Sequence, residues 1–150
     1  MCGSLATGCG PLLRIDDMLI PVKRSIAVAI FNGDQVLSVR RPDDDDELAG
    51  LWGLPAGTLK AGETTEDLIK RIGRHKLGAD LMPIRQITAG KQMRAKYLLV
   101  MELWEAAVVG PETFSHRQWR WASIESLRAG AEAGSLCCEL ALTSKGRVSS

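Results

Sequence analysis

The chain has 150 residues, of which 45% are hydrophobic and 25% are charged. That length suits one folded domain with a single core. Its 19 basic and 18 acidic side chains give a formal net charge of +1, which excludes the broad positive field of a protein that binds nucleic acid without sequence preference. The apolar runs are strand-sized, shorter than the roughly 18 residues that a membrane-spanning helix needs, so we expect no membrane segment.

The two ends of the chain differ in composition from its middle. The first residues are rich in Gly, Ser, Ala and Cys and lack the features of a secretory signal. We therefore expect a loosely ordered lead-in over 1–20, a single domain over 21–143, a frayed tail over 144–150 and a cytoplasmic protein. The four cysteines lack the spacing with His partners that a zinc site requires. We expect free thiols, with Cys137 or Cys138 packed as a small hydrophobic residue on a C-terminal helix.

The domain is predicted to begin with a β-hairpin. Residues 23–31 and 35–40 have strand character, and the Asn-Gly-Asp sequence at 32–34 is a strong turn signal between them. Residues 41–47 include five consecutive acidic side chains, which indicate a solvated loop because like charges cannot pack together. Three glycines and a proline over 50–57 exclude a helix there.

One helix is predicted in the middle of the chain, over 64–77. Thr64 and Asp67 have the side chains of a capping box. The apolar residues that follow recur at the spacing of a buried helical stripe. Gly78 stands where a C-terminal stop is expected.

The second half of the chain is predicted to return to strands and to end in helices. Strands are expected over 81–88, 94–104 and 116–122, the last with Trp119 and Trp121 on one face. Ser123 is expected to cap a short helix, and a further helix is expected over 135–142. This order of elements indicates an α+β or α/β/α arrangement with a mixed sheet.

The glycines and charges around the central helix follow a recognisable spacing. Gly57 is followed by Glu63, then by Arg71 after seven intervening residues, and then by Gly78. This stretch resembles the Nudix box, whose pattern is Gly, five residues, Glu, seven residues, Arg-Glu-apolar-any-Glu-Glu-any-Gly-apolar. The flanking segments that also look like this family are 51–57 and 119–123.

The resemblance extends over about residues 23–127 and implies a Nudix-like α/β/α sandwich of the α+β class with a mixed β-sheet. It also implies an activity. Nudix hydrolases cleave a pyrophosphate bond in nucleoside diphosphates linked to another group, using water and Mg²⁺ or Mn²⁺. Three glutamates of the box supply the metal ligands, because positions three and four residues apart share one helical face.

The three metal-ligating positions of the box hold other residues in this chain, namely Ile72, His75 and Lys76. A hard cation prefers oxygen ligands, and a lysine adds a repelling charge. We therefore expect the usual metal-dependent hydrolysis to be lost or impaired. Mg²⁺ or Mn²⁺ is expected by resemblance only, with no cofactor as the alternative. Gly73 replaces an apolar residue of the family and indicates a helix held less firmly on the sheet.

Glu63 and Arg71 are the candidate catalytic residues. The family pairs them, so we expect a salt bridge that either contributes to catalysis or only stiffens the loop. Glu63 and Glu66 are the candidate metal ligands, and carboxylates from elsewhere could complete such a site. Those further carboxylates are the acidic loop 43–47, Glu102 and Glu105. Ligands drawn from a loop are the less favoured arrangement, because rigid elements normally hold metal geometry.

The candidate substrate-binding residues are Gly57, His75, Lys76 and Trp52. The two basic residues either complement the helix dipole or replace the metal as counter-charges for a bound diphosphate. Trp52 is the preferred aromatic residue for stacking, because it lies in the loop that leads into the box. His116 is interpreted as a surface or packed residue rather than a base.

Two functions remain open from the sequence. The first is a Nudix hydrolase that acts on nucleoside diphosphate derivatives. The second is a non-catalytic module on the same fold that binds a nucleotide, a pyrophosphate compound or a protein. The expected partner is a small nucleoside diphosphate derivative, without bulk nucleic acid or a membrane. A homodimer is a further expectation, since dimers are common in the family.

Overall fold

The computed structural model describes residues 12–15, 18–43, 48–111, 113–115 and 118–144. These residues form two β-sheets and several helices. The strands are β1 (Leu12–Ile15), β2 (Met18–Ala29), β3 (Phe31–Asn32), β4 (Gln35–Arg40), β5 (Trp52–Gly53), β6 (Ala56–Thr58), β7 (Asp80–Met93), β8 (Leu98–Val109) and β9 (Trp119–Ser123). The helices are α1 (Thr65–Ile72), a π-helix (Gly73–Leu77), a 3₁₀-helix (Ile124–Leu127), α2 (Arg128–Glu132) and α3 (Leu136–Thr143).

The larger sheet is mixed, as the order of elements predicted. Its strand order is β1-β2-β8-β7, and β6 also pairs with β2. Strands β2 and β8 run parallel, whereas the other pairs are antiparallel. The smaller sheet has the order β3-β4-β5, with β9 on β4, and all its pairs are antiparallel. The α+β class with a mixed sheet is confirmed. Among the described helices, none is long and apolar enough to cross a membrane.

Strand β2 contributes side chains to two separate cores. Ile26, Val28 and Ile30 lie in one core, whereas Ala27 and Ala29 lie in the other, because successive side chains of a strand point to opposite faces. The first core contains the buried residues of α1, and the second contains those of α3. The larger sheet is therefore covered by helices on both faces, which is the α/β/α arrangement that the sequence predicted.

The predicted hairpin over 23–31 and 35–40 is wrong in its extent. The chain leaves the larger sheet after Ala29, and of the first predicted strand only Phe31, followed by Asn32 of the predicted turn, pairs with β4. Alternation of side chains shows that a segment is a strand but not which sheet it joins. Strand structure also begins inside the expected lead-in, because Leu12–Ile15 pairs with the start of β2.

The central helix begins as predicted and ends differently. The Thr64 side chain accepts the Asp67 N–H, and the Asp67 carboxylate accepts the Thr64 N–H, so the capping box is confirmed. The last predicted turn is a π-helix rather than an α-helix, and Gly78 closes it with a φ of 70°. Glycine suits this left-handed conformation, as the expected stop at residue 78 requires.

Gly73 lies where the π-helix packs closely against Ala79 and β7. A Cβ atom at this position would lie 2.6 Å from the Ala79 carbonyl oxygen and 2.7 Å from Leu81 Cγ. The expectation that Gly73 loosens the helix is therefore wrong. Its missing side chain is what lets the π-helix pack directly against the following strand.

The strands expected over 81–88 and 94–104 are present with different bounds. Strand β7 extends to Met93, and β8 begins only at Leu98, so residues 94–97 form the turn between the two strands. The aromatic pair of β9 shares a face as predicted: the Trp119 and Trp121 ring centroids lie 6.5 Å apart. Residues 116 and 117 of the strand predicted over 116–122 lie outside the described residues.

The two serines that precede helices, Ser123 and Ser135, behave differently. Ser123 precedes the 3₁₀-helix, but its side chain makes no capping hydrogen bond, and its carbonyl instead accepts the Ser126 hydroxyl at 2.6 Å. The predicted capping role of this side chain is therefore wrong. Ser135 caps α3, its hydroxyl accepting the Cys138 N–H, and this helix covers the region predicted over 135–142.

Candidate functional site

A cavity of about 360 Å³ lies between the ends of both sheets, the loop before α1 and the start of α3. Its volume is within the range of small-molecule sites, about 300 to 1,000 Å³. None of the described residues that line it is acidic. Six lining residues are basic: Lys23, Arg40, Arg41, Arg71, Lys76 and Arg94. The cavity is therefore suited to an anion.

The expected salt bridge between Glu63 and Arg71 is present at the edge of this cavity. Arg71 Nε donates to Glu63 Oε2 at 2.8 Å, and Arg71 Nη2 donates to Glu63 Oε1 at 2.9 Å. The Lys60 N–H donates to Glu63 Oε1 at 3.0 Å, and Arg71 Nη2 also donates to the Thr58 carbonyl at 2.7 Å. This network fixes the loop onto the helix, because a bidentate pair constrains both side chains.

The same network changes the acidity of Glu63. The hydrogen bonds from Arg71 lower the pKa of Glu63 from 4.5 to about 2, and the Lys60 N–H makes a smaller contribution in the same direction. Burial opposes this change but is outweighed. Glu63 in turn raises the pKa of Arg71. A carboxylate with so low a pKa is a weak base. Both of its oxygens already accept hydrogen bonds, so its chemistry at neutral pH is that of a fixed anion.

The three replaced box positions do not share one surface. Ile72 is 2% exposed and packs in the core beside α1. His75 is exposed and lies outside the described lining of the cavity, whereas Lys76 is half-buried and lines it. Gly57 also lines the cavity, and a Cβ there would lie 3.0 Å from Ile72 Cγ1. Of the candidate substrate-binding residues, the structure thus brings Gly57 and Lys76 together.

This donor set does not fit Mg²⁺ or Mn²⁺ in the manner of the family. Ions of this type need several oxygen ligands, but Ile72 supplies hydrocarbon and Lys76 supplies a positive charge. Glu66, a candidate metal ligand with Glu63, is exposed and pairs with Lys70 at 3.1 Å. Within the described part of the chain, no group of three His, Cys, Asp or Glu side chains could hold an ion.

The further carboxylates considered from the sequence are engaged elsewhere. Glu102 Oε1 accepts a hydrogen bond from Trp104 Nε1 at 2.8 Å, and Glu105 pairs with Arg85 at 3.0 Å. Asp43 pairs with Arg40 at 2.7 Å. Residues 44–47 of the acidic loop lie outside the described residues, as does His116.

Trp52 lies near the cavity but outside its described lining. It is half-buried on β5, and the Arg120 guanidinium carbon lies 4.2 Å from its ring centroid. A guanidinium at that distance makes a cation–π contact. Arg120 therefore covers one face of the Trp52 ring.

Three lining residues gave no signal in the sequence: Lys23, Arg94 and Tyr97. Lys23 Nζ lies 5.1 Å from the Tyr97 ring centroid, and the Arg94 N–H donates to the Tyr97 carbonyl at 2.8 Å. Parallel pairing of β2 with β8, which places Lys23 opposite Leu99, brings them together. Because that pairing joins distant parts of the chain, only a correct sheet order could have revealed this group.

Two buried thiols lie at the start of α3, and Cys137 lines the cavity. Both are free and packed in the second core, as expected for these two cysteines; Cys2 and Cys9 lie outside the described residues. The neighbouring Cys138 thiol, together with the Ser135 hydroxyl and the charge of Arg41, lowers the pKa of Cys137 below its ordinary value. The same coupling and burial raise the pKa of Cys138.

The fold and the box correspond to a known class of proteins. The model of the NUDIX domain matches residues 21–136, so the chain belongs to the Nudix family. No curated protein matches the chain. The expected family is thereby confirmed by a match over most of the chain.

Solved structures of the same class resemble this one at low sequence identity. A MutT protein from Methanosarcina mazei Go1 is 20% identical with a TM-score of 0.69, over 85% of this chain and 95% of that one. The E. coli ORF135 protein is 22% identical with a TM-score of 0.65, over 83% and 92%. A NUDIX hydrolase from Nitrosomonas europaea is 17% identical with a TM-score of 0.67, over 83% and 88%. At these identities the likeness shows a shared fold.

Proposed function

We propose that this protein binds nucleoside diphosphate derivatives in the cationic cavity and that the metal-dependent hydrolysis typical of the Nudix box is lost or impaired. The observation that carries the proposal is the position of Lys76. It lines the cavity at a box position where the family has a metal-ligating glutamate. An ammonium group can neutralise phosphoryl charge directly, which is part of what a bound metal would do.

The charge on the cavity wall supports an anionic ligand. Arg40 and Arg71 pair with Asp43 and Glu63, and four further basic residues line the same space. Hydrogen bonds between charged donors and phosphate oxygens are about twice as strong as neutral ones. A diphosphate therefore matches this wall better than an uncharged ligand does.

Lys76 also opposes a divalent cation. At 4 Å and an effective dielectric constant of about 20, each product of unit charges is worth about 4 kcal/mol. A dication near this ammonium would be repelled by roughly twice that amount. The same substitution that favours a phosphate thus disfavours the ion, and this supports binding without metal.

The proposal is tested by calorimetry in buffer containing EDTA, with ADP-ribose and UDP-glucose as probes. Binding is expected without metal, and Lys76→Gln is expected to weaken it about tenfold or more, since a hydrogen bond to a charged group contributes about 1.5 to 3 kcal/mol. Lys70→Gln is the matched control, because it removes the same charge from an exposed site on α1 outside the described lining. Absence of metal-free binding, or an equal effect of both variants, would refute the proposal.

Hydrolysis through Glu63 is the alternative that the retained salt bridge favours. Release of phosphate-containing products from the same probes in Mn²⁺, followed in the wild type and in Glu63→Gln, distinguishes the two functions. Turnover that requires both Mn²⁺ and Glu63 would establish a hydrolase and contradict the proposed impairment. With either outcome we expect a cytoplasmic protein whose partner is a small molecule.

A further inference from the structure

The two adjacent cysteines at the start of α3 differ in their access to the cavity. Cys137 is part of the described lining of the cavity, whereas Cys138 lies outside that lining. Cys138 is fully buried, and its Sγ lies 3.7 Å from the Trp52 carbonyl oxygen. On another side, a Cβ added to Gly130 would lie 2.7 Å from the same Sγ. Cys138 is therefore enclosed by backbone, and Cys137 is the thiol that a small molecule in the cavity can meet.

Gly53 leaves space beside the two sulfur atoms. This residue lies on β5 and lines the cavity, and a Cβ added to it would lie 3.6 Å from both the Cys137 Sγ and the Cys138 Sγ. Any side chain at this position would therefore occupy the space in contact with the thiols. Cys137 is only 3% exposed, so a reagent reaches its sulfur through the cavity and not from the outer surface.

The surroundings of Cys137 favour its thiolate, which is the reactive form of a cysteine. Cys137 is the second residue of α3, and the start of a helix favours negative charge. The hydrogen bond with the Cys138 thiol lowers the pKa of Cys137 most, and burial opposes the change. The Ser135 hydroxyl, 3.2 Å from Cys137 Sγ, lowers the pKa further. A backbone hydrogen bond from Leu54 and the charge of Arg41 act in the same direction.

The charge of the cavity determines which reagents approach this thiolate. Six basic residues and no acidic residue belong to the described lining. A positively charged wall attracts anions and repels cations. It also stabilises negative charge that develops on a leaving group. A negatively charged electrophile is therefore favoured over a neutral or a cationic one.

The backbone of α3 opposes a disulfide between the two neighbouring thiols. Consecutive Cα atoms lie about 3.8 Å apart, whereas the Cα atoms of disulfide-bonded residues usually lie about 4.4 to 6.8 Å apart. Cys137 and Cys138 are also held in the first turn of the helix, where the Cys138 N–H donates to the Ser135 hydroxyl. An oxidised Cys137 therefore takes its disulfide partner from outside the chain.

We infer that Cys137 is a site of reversible S-thiolation, at which it forms a mixed disulfide with a small, negatively charged thiol. The Cys137 thiolate attacks one sulfur of a small anionic disulfide. A bond forms between that sulfur and Cys137 Sγ, the original S–S bond breaks, and the departing thiolate takes a proton from water. Cys137 is thereby oxidised, and the departing half of the reagent is reduced. The exchange needs no nucleotide, so it does not rest on the proposed function.

The test uses three small disulfides that differ only in their end groups. These probes are the anionic 3,3′-dithiodipropionate, the neutral bis(2-hydroxyethyl) disulfide and the cationic cystamine. The rate at which each forms a mixed disulfide with the protein at pH 7.5 is divided by its rate with 2-mercaptoethanol, which corrects for the intrinsic reactivity of the probe. The corrected rate is expected to be about tenfold or more higher for the anionic probe than for the cationic one.

Peptide mass spectrometry locates the adduct. Fragment ions of the peptide that contains both thiols are expected to place it on Cys137 and not on Cys138. Cys137→Ser is expected to leave this peptide unmodified, and dithiothreitol is expected to remove the adduct from the wild type. An adduct on Cys138, or the absence of any adduct on this peptide, would overturn the inference.

Two variants that each lose one arginine test the role of the cavity charge. Arg41→Gln removes a lining charge that acts on Cys137, and it is expected to lower the ratio of anionic to cationic rates by about threefold or more. Arg24→Gln is the matched control and is expected to keep the ratio, since Arg24 is exposed and outside the described lining. Thermal unfolding checks that each variant is folded.

The remaining outcomes also decide the matter. Equal corrected rates for the three probes would overturn the inference, because the cavity would then not select its reagent by charge. An equal effect of Arg41→Gln and Arg24→Gln would overturn it as well. Binding of ADP-ribose in EDTA is measured without any disulfide, so failure of the thiol exchange leaves the proposed function standing, and failure of nucleotide binding leaves the exchange standing.

Discussion

Glu63 and Arg71 make a salt bridge whose contribution to stability depends on pH in a defined direction. One pKa unit is worth about 1.4 kcal/mol, so the fall of the Glu63 pKa from 4.5 to about 2 sets an upper limit of about 3 kcal/mol. The side chains of Arg71 and Glu63 are 24% and 12% exposed, respectively. Screening by solvent reduces the expected contribution to about 1 to 2 kcal/mol.

The pKa of Glu63 is lower in the folded chain than in the unfolded one. Its contribution is therefore fully present above pH 4.5 and is lost as the pH falls toward 2. Glu63→Gln is expected to lower the free energy of unfolding by about 1 to 2 kcal/mol at pH 7. The difference from the wild type should shrink below pH 4.5 and become small by pH 2. Urea unfolding followed by circular dichroism across this range measures both free energies.

Glu66→Gln is the control for the loss of a carboxylate near the start of α1. Glu66 and Lys70 are 60% and 46% exposed and form an i,i+4 pair, which is worth only about 0.3 to 0.5 kcal/mol. A difference between the wild type and Glu63→Gln that stays constant from pH 7 to pH 2, or an equal loss in Glu66→Gln, would refute the reasoning.

Three further predictions concern packing and reactivity near the box. Gly73→Ala is expected to lower the free energy of unfolding by about 1 to 3 kcal/mol, because the added Cβ would contact the Ala79 carbonyl. Helix propensity alone would instead make this variant more stable. A gain in stability, measured by urea unfolding, would therefore contradict the close packing. Ile72→Ala is expected to cost about 2 to 5 kcal/mol in the same assay, whereas a change below about 0.5 kcal/mol, typical of surface sites, would show that this position is not in the core. Iodoacetamide at pH 7.5 is expected to modify Cys137 faster than Cys138, and bound ADP-ribose should slow the reaction, because Cys137 lines the cavity and has the lowered pKa. Mass spectrometry of the peptide that contains both residues measures the labelling of each thiol. Equal labelling of the two thiols, or labelling that the bound ligand leaves unchanged, would contradict the prediction.

The features that the sequence predicted correctly depend on residues close together in the chain. The capping box of Thr64 and Asp67, and the left-handed Gly78, are local interactions with distinct residue preferences. The features it missed depend on distant partners. The strand breaks near Ile30 because its two halves join different sheets, and Gly73 is required by contacts with a strand that follows it.

The candidate site divides in the same way. The spacing of the box predicted the pairing of Glu63 with Arg71, which the structure contains. The helical repeat placed Ile72, His75 and Lys76 on one face, but the α-helix ends at Ile72 and a π-helix follows. Regular α-helical spacing therefore does not apply to the last two positions. Lys23, Arg94 and Tyr97 were missed because they meet only through the pairing of β2 with β8.

The packing between the two sheets also affects how the cavity binds its ligand. Lys23 and Ser25 on β2 and Val39 and Arg40 on β4 line the same space. Ile26 and Val28 of β2 share the first core with Leu37 and Val39 of β4. Moving the two walls apart would expose this core to water, so we expect the cavity to be largely pre-formed. Little ordering entropy then opposes binding. The protein is expected to select ligands by how well their shape and charge fit this wall, since it has little freedom to adjust to them.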